Sequence, residues 1–190
     1  MNEERVTVAF LTGQSDPRTS ALSPVQQRFL DQSPVTPEQR LDLNFPYRNA
    51  GRWSETNLLR ASFNNARQYL ACRRPSFAET HRPSVVGAFG STGKVVILAG
   101  SCGLELLVNL RLPEGVVRRL HVFAYGPVSR SLPRCASLVT VRGNRDLISR
   151  WWHPRVDHVI SCGHMDYLER EETMALFCAF HQRVTGGGGR

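Results

Sequence analysis

Six short apolar runs alternate with stretches of helical spacing along this chain. The runs lie at residues 6–11, 41–45, 95–98, 120–124, 138–141 and 156–161. Their apolar residues are consecutive rather than alternating, which is the pattern of strands covered on both faces. Helical spacing is predicted over 24–30, 56–72, 103–110, 147–152 and 167–184. In the 56–72 stretch, Leu59, Phe63, Ala66 and Leu70 fall three or four apart, predicting one inward apolar face. Leu168, Met174, Leu176, Phe177 and Phe180 predict another in the last stretch. Together these features predict an α/β fold: three layers, doubly wound, on a mostly parallel sheet of about six strands. In such a fold, ligands bind beyond the carboxyl ends of the strands. The longest predicted loops, at 12–23, 46–55 and 73–93, are the expected pocket walls.

The 190 residues suffice for one self-contained core, expected over 1–185, with a flexible glycine tail at 186–190. Hydrophobic residues make up 41% and charged residues 21%, the balance of an ordinary globular protein. No run of about 18 apolar residues occurs, so no membrane span and no membrane partner are expected. Met1-Asn2-Glu3-Glu4-Arg5 lacks the basic-then-apolar layout of a signal segment, which makes the cytoplasm the expected location. Five scattered cysteines, at 72, 102, 135, 162 and 178, fit reduced thiols. No Cys-x-x-Cys or histidine-rich spacing points to zinc, and no cofactor is implied. The net charge of +8 is almost wholly arginine, since Lys94 is the only lysine. The arginines are dispersed and no nucleic-acid-binding pattern accompanies them. A coding bias explains them more simply than a nucleic-acid partner.

Residues 95–105 carry the most chemistry. The apolar run Val95-Val96-Ile97-Leu98 stops at Ala99-Gly100-Ser101-Cys102-Gly103 and turns into an amphipathic stretch. Strand, small-x-Ser-x-small, helix is the order of a nucleophile elbow, whose turn is too tight for side chains two places either side of the nucleophile. Ala99 and Gly103 occupy those places. Centring the motif on Cys102 would put Leu104 where no bulk fits, so Ser101 is the predicted nucleophile rather than the neighbouring thiol.

A serine nucleophile needs a base and an orienting acid at later strand ends. Asp146 follows the run at 138–141 within Arg142-Gly143-Asn144-Arg145-Asp146. His164 follows the last run within Cys162-Gly163-His164-Met165-Asp166. Asp157 and Asp166 are weaker choices, one at the start of a strand and one beside the histidine. Each residue also has a plainer reading: small residues under a helix, Asp146 as a helix N-cap, His164 as a loop histidine. The agreement of three placements favours the catalytic reading.

In the order Ser101, Asp146, His164, nearly the whole chain resembles a minimal member of the α/β-hydrolase superfamily. The resemblance implies that Ser101 Oγ attacks an acyl carbonyl, His164 carries the proton, and Asp146 fixes the imidazole tautomer. It also implies an oxyanion hole made by the backbone N–H of Cys102 and that of Gln14, with Gly13 beside the substrate. Thr12 stands where many members have histidine, and the family's first two strands are absent.

Two features are decoys. Gly87-Ala88-Phe89-Gly90-Ser91-Thr92-Gly93-Lys94 half-resembles a phosphate loop, but such a loop must open a helix, and this one leads into a strand. Trp151-Trp152-His153 offers either an acyl-pocket wall, with Trp151 as the candidate substrate contact, or core packing. The expected activity is hydrolysis of an ester or thioester, with acyl transfer by the same residues as one alternative. A non-catalytic binding or scaffold protein on a hydrolase fold is the other. The expected partner is a small acyl substrate, free or carrier-borne, steered by Arg142, Arg145 and Arg150 if it is anionic.

Overall fold

The computed structural model describes residues 5–48, 51–55, 57–90 and 92–186, apart from the side chains of Leu58 and Leu59. All six predicted strands form: β1 (Val6–Thr12), β2 (Arg40–Asn44), β3 (Lys94–Gly100), β4 (Leu120–Tyr125), β5 (Ser137–Gly143) and β6 (His158–Ile160). They make one sheet in the order β2-β1-β3-β4-β5-β6, and every pairing is parallel.

Consecutive apolar residues in a strand send side chains to opposite faces, so each strand feeds two cores. Val96 and Leu98 join Phe10, Phe123 and Val141 on one face. There they meet Phe29 of α1 (Pro24–Gln32) and Phe177 and Phe180 of α7 (Glu171–Gly186). Val95, Ile97 and Ala99 face the other way with Leu11 and Val122. That side is covered by Val85 and Phe89 of α3 (Pro75–Phe89), Leu104 and Leu107 of α4 (Gly103–Asn109) and Val116 of α5 (Glu114–Val117). Each fully buried Leu, Val, Ile or Phe contributes about 2 kcal/mol relative to exposure. The result is the predicted three-layer α/β arrangement.

Four expectations need correction. Residues 73–93 are not a loop, because α3 occupies most of them. Pro75 sits in its first turn, where a missing N–H costs nothing. Pro83 lies inside it, yet Val85 and Phe89 pack into the core that also holds Val95 and Ile97 of β3, and this burial holds the helix. The helix predicted over 56–72 is α2 (Leu58–Ala71), but its inward apolar stripe is absent. Phe63 is 63% exposed and Leu70 62% exposed, and Ala66 is also exposed. Leu59's side chain and residue 56 lie outside the described residues. The helix predicted from Tyr167 is broken at Arg170, which is extended, leaving a 3-10 turn at Tyr167–Glu169 ahead of α7. Gly186 closes α7, and the rest of the expected glycine tail, 187–190, lies outside the described residues.

The sheet reverses its winding between β1 and β3. From β1 the chain goes to β2 on one side, then returns to β3 on the other. A crevice opens at the carboxyl ends of two such strands. The register pairs Thr12 with Gly100, so Gly13 and Ser101 leave the sheet side by side. Of the segment at 87–94, residues 87–89 close α3 and Lys94 opens β3, so it leads into a strand as expected. The five cysteines are unpaired. No helix of the described residues is long and apolar enough to cross a membrane.

Candidate active site

Ser101 has φ 51°, in the left-handed region. A residue with a side chain rarely adopts it, and the cost is about 1–3 kcal/mol. The turn is fixed from both sides: Ser101 N–H donates to the Tyr125 carbonyl (3.2 Å), and Val128 N–H donates to the Ser101 carbonyl (3.0 Å). Gly103 lies so close to β1 that a Cβ there would overlap the Leu11 carbonyl oxygen. Ala99 is fully buried in β3. Both small flanks are therefore required by packing.

Ser101 Oγ lies 3.0 Å from His164 Nε2, and His164 Nδ1 lies 2.8 Å from Asp146 Oδ2. The loops after β3, β5 and β6 thus bring three residues, 63 and 18 positions apart in these two contacts, into one chain of hydrogen bonds. Asp146 also caps α6 (Leu147–Trp152), its Oδ1 accepting from Ser149 N–H at 2.9 Å. The capping and relay readings of Asp146 hold together, because the carboxylate uses a different oxygen for each. Burial alone would raise the Asp146 pKa; hydrogen bonds from His164, Tyr167 and Ser149 outweigh it and hold the pKa below its usual value. Asp157 instead accepts from Thr140 (2.8 and 2.7 Å). Asp166 accepts from Gly163 N–H (3.2 Å) and pairs with Arg170.

Tyr167 was not expected to take part. Its hydroxyl donates to Asp146 Oδ2 at 2.6 Å and accepts from Gly143 N–H at 2.7 Å, tying the carboxylate to the end of β5. Burial, reinforced by Asp146, raises its pKa, so the hydroxyl keeps its proton. The Cys102 thiol is buried, and desolvation pushes its pKa up to about 12. It is no thiolate at neutral pH, and Ser101 is the better placed candidate nucleophile.

Around Ser101 lies a cavity of about 540 Å³, within the usual range for small-molecule sites. One face of α2 walls it with Ala61, Ser62, Asn65, Ala66 and Tyr69. This role explains why α2 lacks an inward apolar stripe: it covers a cavity rather than a core. Gly13 lines the cavity. Cys102 is the N-cap residue of α4, which places its N–H at the helix start next to Ser101. The Gln14 N–H is engaged: it donates to Gln68 Oε1 at 2.6 Å, while Gln68 Nε2 donates back to Gln14 Oε1 at 2.8 Å. Asn65 Oδ1, buried beside Gly13, has no hydrogen-bond partner among the described residues.

The expected substrate contact Trp151 is misplaced. It is 84% exposed and outside the cavity, whereas Trp152 lines the wall and packs against Tyr69, ring centroids 5.4 Å apart. Neighbours on a helix point about 100° apart, so only one tryptophan of the pair can face inward. Arg142, Arg145 and Arg150 do not line the cavity either, and Arg142 is held by the carbonyls of His153 and Pro154. The charged residues among the described lining are Asp16 and Glu169. Among the described residues, no group of three or more His, Cys, Asp or Glu is arranged to hold a metal.

No protein-family model and no curated protein matches the chain.

Proposed function

We propose that this protein is a serine hydrolase of the α/β-hydrolase type that cleaves an ester or thioester through an acyl-Ser101 intermediate. The observation that carries the reading is the unbroken relay of Ser101, His164 and Asp146 behind a left-handed elbow at a sheet switch point. Ser101 Oγ attacks the acyl carbonyl while His164 Nε2 takes its proton. The new oxyanion accepts from the Cys102 N–H. Collapse expels the alcohol or thiol, which receives the proton from His164. Water then repeats the sequence and frees the acid. Asp146 holds the imidazole with its proton on Nδ1 throughout.

Gln14 becomes a second oxyanion donor only when Gln68 Oε1 releases the Gln14 N–H, so acyl binding and Gln68 displacement are coupled in this mechanism. Trp152, Tyr69, Ile148 and Val128 offer an apolar wall, no cation stands among the described lining residues, and the lining Asp16 is already paired with Arg18. An uncharged acyl chain is therefore the fitting substrate.

The test is initial-rate hydrolysis of p-nitrophenyl esters and acyl thioesters of increasing chain length. Saturable turnover of neutral acyl groups is the expected result. Folded protein that turns over neither class faster than buffer would overturn the reading.

A further inference from the structure

Most of the large apolar side chains exposed among the described residues belong to the segments that wall the cavity. On α2, Phe63 and Leu70 point away from the cavity-lining face, with exposed Arg60 and Arg67 between and before them. The Arg67 guanidinium lies over the Phe63 ring, 6.0 Å from its centroid. Arg74 extends the same stripe just beyond the helix. From residue 56 to residue 78 the sequence holds no Asp or Glu. On α6, Leu147 (71% exposed) and Trp151 stand out beside exposed Arg145 and Arg150. The sole acid of that helix and its cap, Asp146, is buried in the relay. The Tyr69–Trp152 contact joins the two helices across the cavity.

We propose that the outer faces of α2 and α6 dock the protein on an anionic lipid surface, with the cavity mouth beside the bilayer. Protruding aromatic and aliphatic side chains insert among acyl chains and headgroups, and flanking arginines attract anionic headgroups. Charge selects this occupant. Arg60, Arg67, Arg74, Arg145 and Arg150 form no ion pair among the described residues, and the chain carries +8 overall. A second copy docking by the same faces would set arginine against arginine. A folded acidic partner would need a groove for Trp151 and Leu147, whereas a bilayer accepts protruding side chains of any shape. This surface acts whether or not Ser101 is a nucleophile, so its failure leaves the hydrolase reading standing.

The experiment is co-sedimentation with vesicles of phosphatidylcholine alone and of phosphatidylcholine mixed with phosphatidylglycerol. The comparison variant is Phe63→Ser/Leu70→Ser/Trp151→Ser, whose side chains are all exposed; circular dichroism confirms its fold. Wild type is expected to partition onto the anionic vesicles at least about tenfold more than onto neutral ones, less so as salt is added. The triple variant is expected to lose about tenfold or more of that partition. Equal partition of wild type and variant, or none by either, would overturn the proposal. So would binding to soluble polyglutamate as tight as to vesicles, which would identify an acidic protein partner. A wild-type dimer in sedimentation velocity that the variant abolishes would overturn it in favour of self-association.

Discussion

Ser101→Ala is expected to lower kcat for ester hydrolysis by about 10^6-fold, with a small change in KM. Alanine removes the Oγ that lies 3.0 Å from His164 Nε2 but leaves the cavity and the Cys102 N–H in place. Substrate binding therefore persists while the covalent route disappears. The backbone strain at φ 51° is the same for alanine as for serine, so the elbow should fold as before. The thiol next door offers no rescue, because burial keeps it protonated. Steady-state rates on a neutral ester, with the melting curve as a control, make the measurement. A variant that kept more than about one-hundredth of wild-type kcat would place the attacking group elsewhere.

Asp146→Asn is expected to cost about 10^4-fold in kcat, with the site's geometry nearly unchanged. Asp146 Oδ2 accepts from two donors at once, His164 Nδ1–H and the Tyr167 hydroxyl, while Oδ1 accepts from Ser149 N–H. Asparagine has one acceptor oxygen for all three. If that oxygen stays on the Ser149 N–H, the amide NH2 faces two donors. His164 then moves its proton to Nε2 and presents an N–H to Ser101, the wrong tautomer for a base.

The same substitution removes a pH-dependent part of stability. The Asp146 pKa is lower in the folded protein than its ordinary 3.8. Its ionisation therefore stabilises the fold fully above the ordinary value, and this is lost as pH falls through the folded-state value. Urea unfolding should show the stability gap between wild type and Asp146→Asn closing as pH falls below 3.8. A gap that stayed constant across that range would mean the carboxylate gains nothing from its hydrogen bonds.

The strands were legible because a strand buried on both faces must be apolar at every position, as the run at 95–98 is. Ser101, Asp146 and His164 were legible for the same reason, since strand ends locate the residues just past them. Side-chain direction on helices was harder to read. Phe63 and Leu70 have core spacing but face outward, because α2 is positioned by the cavity it covers. Trp151 and Trp152 are equivalent in sequence, and only the rotation of α6, pinned by its Asp146 cap, decides between them. The helix α3 was hidden by Pro83 and by Gly87, both poor helix formers outweighed by the burial of Val85 and Phe89. Tyr167 reaches Asp146 only because the chain folds back after β6, and no local spacing encodes that approach. The engagement of the Gln14 N–H is likewise a long-range fact, set by Gln68 on a helix 54 residues away.

The central claim is that Ser101 is a nucleophile activated by His164. The most direct measurement is reaction of the folded protein with a fluorophosphonate, followed by peptide mass mapping. One adduct per chain is expected, on Ser101, formed quickly at neutral pH and slowed severely in Asp146→Asn. Folded protein that takes no adduct, or an adduct found on Cys102 or another residue, would contradict it.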